Sequence, residues 1–255
     1  MVTTRENGSL YTKIENKIAT IEFGHPASNS FPSELLERLQ NEFKKLSDDE
    51  SVQVIILRSE GEKAFCAGAS FDELMAIENI QQGKLFFSGF ANVINAMRDC
   101  KKLIVGRIQG KTVGGGVGLA AACDYIMATE AASIKLSELS IGIGPFVIAP
   151  AVERKIGVSA LAELTLAAHE WRNAYWAQEK GLYSRVFETI KDMDKEMLVF
   201  TEKLASYNPI ALFEMKKLLW KNTENWEFLL EERAAISGEL VLSDFTKNAL
   251  KKFKK

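Results

Sequence analysis

An α/β fold is the class this sequence predicts, and three observations carry it. The runs "VQVIILRS" (52–59) and "KLIVGRIQG" (102–110) have the length and β-branched content of strands buried on both faces. Each leads through a polar turn and a loop of small residues into a helix. From "FVIAPAVERKIG" (146–157) onward the pattern is helical almost to the end. The chain therefore divides into a sheet-and-helix body over 1–190 and a helical region over 191–255.

The elements follow in order. "YTKIENKIATIEF" (11–23) alternates apolar and polar residues around a Glu-Asn-Lys turn, which predicts two strands. "GHPASNSFP" (24–32) is a loop, and "SELLERLQNEFKKLSDD" (33–49) is an amphipathic helix with Ser33 as its cap. After the first buried strand, "EGEKAFCAGASFDEL" is a loop leading into a helix near Ser70. "KLFFSGFANVINAMRDC" (84–100) is a further helix. The second buried strand runs into a glycine turn and its helix, and "YIMAT" (125–129) and "SIKL" (133–136) are short strands. Breaks in the helical region fall at Gly157, Gly181 and Asn208-Pro209.

Composition excludes several functions. A net charge near −2 gives no reason to expect nucleic acid as a partner. No apolar run reaches the ~18–20 residues that span a membrane, and the N-terminus lacks an apolar signal core. Cys66, Cys100 and Cys123 have no metal-type spacing and read as reduced thiols of a cytoplasmic protein. A Cys66 nucleophile would need His25 or His169 brought to it through space, and a small buried cysteine is the simpler reading. The four tryptophans, Trp171, Trp176, Trp220 and Trp226, read as core or subunit-interface residues, and Asp124 as a structural group closing a helix.

"KTVGGGVGLAAACDY" (111–125) places three glycines before a helix, at a cost in backbone entropy. No Gly-Lys-Ser/Thr follows, so the turn is not a P-loop; Leu119 stands where a dinucleotide fingerprint needs glycine. The same device occurs twice, however. "VIILRSEGEKAFCAGASFDEL" and "LIVGRIQGKTVGGGVGLAAA" each run strand, turn, lysine, small-residue loop, helix. Two such helix starts facing one point would offer two backbone N–H groups to one oxygen, the geometry of an oxyanion hole. Ala67, Gly68 and Ala69, with Gly114, Gly115 and Gly116, would let a reacting group come that close.

With "KAFCAGAS", "GGGVGLAAACD" and "LSELSIGIGP" in this order, the chain resembles the crotonase superfamily, also called the enoyl-CoA hydratase/isomerase family. The resemblance implies a spiral of ββα units with a helical C-terminal trimerisation region, and an acyl-CoA thioester as substrate. It puts the two oxyanion donors on the N–H groups of Ala69 and Gly115. It puts a general acid/base on Glu138, whose neighbours Leu136, Leu139, Ile141 and Ile143 would raise its pKa. It implies no metal and no cofactor beyond the CoA of the substrate. Contacts to that CoA fall on Lys63, Ala67, Gly68 and Gly114; Ser70, where the family commonly has aspartate, carries no assigned role, and the Lys251–Lys255 tail with Phe253 is expected to reach a neighbouring subunit.

Two departures matter. Typical hydratases carry a second glutamate two residues after the three glycines, and here that position is Gly118. "GPFVIAP" replaces the usual segment after the glutamate motif. One glutamate suits Δ3,Δ2-enoyl-CoA isomerisation. Yet the longer match resembles the bacterial 3-methylglutaconyl-CoA hydratase branch, so hydration of a 2-enoyl-CoA is the expectation. Isomerisation and a non-catalytic acyl-CoA-binding subunit are the rivals. Asp72 and Glu73 are candidates for the missing carboxylate, or simply first-turn residues favoured by the helix dipole. A homotrimer, or a hexamer of two trimers, is expected.

Overall fold

A computed structural model describes residues 7–253. The chain opens with a hairpin, β1 (Ser9–Glu15) and β2 (Ile18–Gly24), paired antiparallel. Asn16 and Lys17 form its two-residue loop, both at positive φ, as a tight hairpin turn that follows the strand twist requires. Helix α1 (Ser33–Asp48) buries Leu35, Leu36, Leu39, Phe43 and Leu46 on one face. Its N-cap residue is Pro32, not Ser33; Ser33 is already helical, and its N–H and hydroxyl are held by the Glu73 carboxylate at 2.9 and 2.6 Å.

Three ββ units then follow one another. They are β3 (Val54–Ser59) with β4 (Ala64–Cys66), β5 (Leu103–Ile108) with β6 (Lys111–Val113), and β7 (Tyr125–Thr129) with β8 (Ile134–Lys135). The first strand of each joins a six-stranded sheet of order β1-β2-β3-β5-β7-β9, and the second joins a three-stranded sheet of order β4-β6-β8. All pairings after the hairpin are parallel. The first unit leads to α2 (Phe71–Met75) and α3 (Ile80–Asp99), the second to α4 (Gly115–Ala122), the third to a 3-10 turn (Glu138–Ile141) and α5 (Ala149–Leu166). This is the ββα spiral expected.

Every residue of β5 is buried, because the large sheet is covered on both faces. Ile55, Ile104 and Ala128 face the main core with α1, α3 and α4. Val54, Val105 and Met127 pack against Met193 and Met197 of a later helix.

The stretch after α5 holds α6 (Ala174–Glu179), α7 (Ile190–Ala205), α8 (Pro209–Leu219), α9 (Trp226–Leu240) and α10 (Asp244–Phe253). It is interrupted once by a strand the helical pattern does not predict, β9 (Arg185–Phe187), which closes the large sheet against β7. Gly157, at φ 73, breaks α5 as expected. Asp124 ties α8 to the body: its carboxylate accepts from the Ile104 N–H, from Lys216 Nζ and from the Trp220 indole, each at 2.7 Å. Trp220 and Trp226 are buried edge-to-face partners there.

The last helix folds back on its own chain. Leu250 joins Leu74, Phe86 and Ile143 in one apolar cluster, and Phe245 and Thr246 lie against Gly142. Of the Lys251–Lys255 tail expected to reach a neighbouring subunit, residues 254 and 255 lie outside the described residues; Lys251 and Lys252 are exposed in the last turn of α10.

Candidate active site

The small sheet builds the site. Its three strands are parallel, so their C-terminal ends meet at one edge, where ligands of parallel sheets bind. Each strand delivers one group: Ala69 follows β4, Gly115 follows β6 and Glu138 follows β8. All three line one cleft of about 390 Å³.

The loop after β4 is pinned to the 24–32 loop. Ala67 N–H donates to the Ser28 carbonyl, Phe31 N–H to that of Gly68, and Ser70 N–H to that of Phe31. Gly68 turns through φ +92, which only glycine adopts at little cost. The loop lies directly on the glycine turn: a Cβ on Gly68 would be 3.6 Å from the Gly115 nitrogen. Among the described residues no acceptor is found for the N–H of Ala69 or of Gly115. Two backbone donors without an acceptor therefore belong to adjoining loops that line the cleft.

Gly114, at φ 53 and ψ −122, reverses the chain between β6 and α4. A Cβ there would stand 2.9 Å from Glu138 Oε1, so the glycine is what admits the carboxylate. Glu138 is half-buried as a residue, but its Oε2 is shut off from solvent and has no hydrogen-bond partner among the described residues. Burial pushes its carboxyl from 4.5 up to about 7, against a smaller downward pull from the backbone at Glu138 and Ser137. The direction is the one the sequence predicts. Leu139 has no part in it, since it faces solvent.

Among the described residues no second carboxylate lines the cleft. Gly118 is buried in α4, and a Cβ on it would lie 2.3 Å from Cγ2 of Ile148, so an apolar side chain fills that volume. Glu73 is engaged on the start of α1, Asp72 is exposed, and neither lines the cleft. Ser70 caps α2 through the Glu73 N–H. Cys66 is packed beneath Gly116, and burial holds its thiol up at about 12, so it is core and not a nucleophile.

Ala67, Gly68 and Gly114, expected at the CoA, line the cleft. Lys63 does not: its side chain is exposed and only its carbonyl is engaged, by the Lys111 N–H. Two cleft residues escaped the sequence reading. Trp171, predicted as core or interface, is 42% exposed at the cleft, and Lys135 lines the same wall. Phe86, Phe87 and Phe90 of α3 form the opposite, apolar wall. Their spacing marks a buried helix face but nothing in it names the cleft.

An enoyl-CoA hydratase/isomerase family model matches residues 13–252. A probable enoyl-CoA hydratase of Bacillus subtilis (strain 168) is 26% identical over 242 residues, covering 94% of this chain and 93% of its own. The mitochondrial methylglutaconyl-CoA hydratase of Mus musculus is 30% identical over 188 residues, 72% of this chain and 59% of that one. In structure, the enoyl-CoA hydratase of Bacillus halodurans superposes with a TM-score of 0.88 at 21% identity, over 95% of this chain and 99% of that one.

Proposed function

The chain belongs to the enoyl-CoA hydratase/isomerase family of the crotonase superfamily, and from that premise we propose that it adds water across the double bond of a 2-enoyl-CoA. The thioester oxygen lies between the N–H groups of Ala69 and Gly115, each donor contributing about 3–4 kcal/mol as negative charge develops there. The Glu138 carboxylate takes a proton from water, whose oxygen bonds to C3. The C2=C3 electrons move onto the thioester as an enolate. Glu138 then returns the proton to C2, so one carboxyl serves as base and acid in turn. The observation that carries this reading is the buried Glu138 carboxyl beside the glycine turn, its Oε2 without a partner among the described residues and its pKa raised to about 7. Both its forms are then accessible near neutral pH.

One observation favours a second reading. Ile148 occupies the space beside Gly118, so no second carboxylate holds the water, and Glu138 could instead carry a proton between C2 and C4 of a 3-enoyl-CoA. Mass spectrometry of products from crotonyl-, 3-methylglutaconyl- and 3-enoyl-CoA, with and without Glu138→Gln, tests the proposal. A gain of one water, lost in the variant, is expected. A shifted double bond without added water would make the chain an isomerase, and binding without turnover would make it an acyl-CoA-binding subunit.

The chemistry needs no cofactor beyond the CoA carried by the substrate, whose adenine we place against Ala67. We also propose a homotrimer, or a hexamer of two, in which the exposed Ile210, Met215, Leu218 and Leu219 of α8 are covered. Light scattering on the eluted protein tests it. A cytoplasmic location fits the three free, buried cysteines, and no helix among the described residues is long and apolar enough to cross a membrane.

A further inference from the structure

The wall of the cleft beside Glu138 carries positive charge without a partner. Lys135 on β8 pairs in register with Val113 of β6, and Lys111 lies two residues before Val113, on the same face of that strand. Trp171 stands next to Lys135, because its neighbour Arg172 bridges Ile134. The Lys111 ammonium is 5.3 Å from the centre of the Trp171 ring and that of Lys135 is 5.7 Å. Two like charges thus share one indole. Among the described residues neither makes an ion pair, and Glu138 is the only carboxylate lining the cleft. A half-buried lysine without a counter-charge is a poor arrangement for stability alone.

The geometry fixes what would reach it. The oxyanion donors stand at the ends of β4 and β6, and Glu138 stands past the end of β8. The carbons that exchange protons must lie beside Glu138. The acyl chain therefore leaves the oxyanion donors toward β8, and the sulfur leaves toward Ala67 and Gly68. That side of the cleft is lined by Lys135 of β8 and by Trp171, whose neighbour Arg172 bridges Ile134.

We propose that Lys135, backed by Lys111 across the Trp171 ring, binds an anionic group at the far end of the acyl chain, so that the preferred substrate is the CoA thioester of a short dicarboxylic acid. A carboxylate there would meet one or two ammonium groups over an apolar ring, where charge-assisted hydrogen bonds are strongest. The inference rests on the reading of the cleft as an enoyl-CoA site. A phosphate of CoA has the same chemistry, and the test separates the two.

Glutaryl-CoA and butyryl-CoA differ in one carboxylate, and neither acyl group can be hydrated or isomerised. Their binding is measured by calorimetry, with tryptophan fluorescence as a second signal. The full chain is expected to bind glutaryl-CoA about tenfold more tightly, with the gap narrowing as salt is raised. Lys135→Gln is expected to close most of the gap, Lys111→Gln part of it, and Lys135→Arg to retain it. Equal binding of the two thioesters by the unaltered chain would overturn the proposal. So would an equal weakening of both by Lys135→Gln that disappears with 3′-dephospho-CoA thioesters, which would assign the lysine to the CoA phosphate. A preference for glutaryl-CoA without turnover of any enoyl-CoA would refute the catalytic reading and leave the anion subsite standing.

Discussion

Replacing Glu138 by glutamine removes the charge and keeps the shape, and it should change activity and stability in opposite directions. The carboxyl titrates at about 7 in the folded chain and at 4.5 when free. Between those values the native state binds the proton more tightly than the unfolded chain does. Stability therefore falls as pH rises through that window and levels off above it. The gap corresponds to a loss of up to roughly 3 kcal/mol, reached when the buried carboxyl is fully ionised. Glu138→Gln has no such loss. Urea unfolding at about pH 5 and about pH 8 should show the variant gaining on the original chain at the higher pH. In kinetics, kcat/KM of the original chain should rise with pH to a plateau above about 7, since the carboxylate form starts the reaction, and the variant should lose about 10²–10⁴-fold. A variant that turns over within about tenfold of the original would refute the proton-transfer role. A stability difference that is the same at both pH values would refute the assigned burial of the carboxyl.

Three further outcomes follow from the same geometry. Gly114→Ala forces a Cβ to 2.9 Å from Glu138 Oε1 at a backbone angle of φ 53; it should cost about 1–3 kcal/mol and lower kcat by about 10²-fold through the displaced carboxyl, read by unfolding and by steady-state rates. Gly118→Ala meets Ile148 at 2.3 Å and should destabilise by about 1–3 kcal/mol, a cost that should largely vanish when the same change is made in an Ile148→Ala background, read as a double-mutant cycle in denaturant unfolding. Asp124→Asn leaves Lys216, 2% exposed, without its counter-ion, and should cost about 3–5 kcal/mol in the same measurement.

Much of the molecule was legible because its signals are local. A two-residue turn sets the opening hairpin, and continuous apolar runs mark β3 and β5, since a strand covered on both faces has nowhere to place polar residues. The repeated order of strand, turn and small-residue loop marked two helix starts, and the family resemblance placed Ala69 and Gly115 there. The motif around Glu138 singled out one glutamate among many. The strands β4 and β6 did not announce themselves, because three residues are too few to show a period, whereas "SIKL" did mark β8. Strand β9 was hidden for the same reason, inside a stretch whose flanks are helical.

The sequence by itself determined the order of the ββα units, the two permissive loops and the single acidic group placed after them. Each depends on backbone conformations that neighbouring residues dictate, such as the left-handed turns at Gly68 and Gly114. Tertiary structure alone decided what surrounds those groups. Ile148 fills the space beside Gly118, Glu73 is drawn away to the start of α1, and Trp171 comes to stand beside Lys135. Each of these contacts joins residues about 30 or more positions apart, so no local pattern encodes it. Packing of one strand end against another brings them together, and it is there that the charge and shape of the cleft are set.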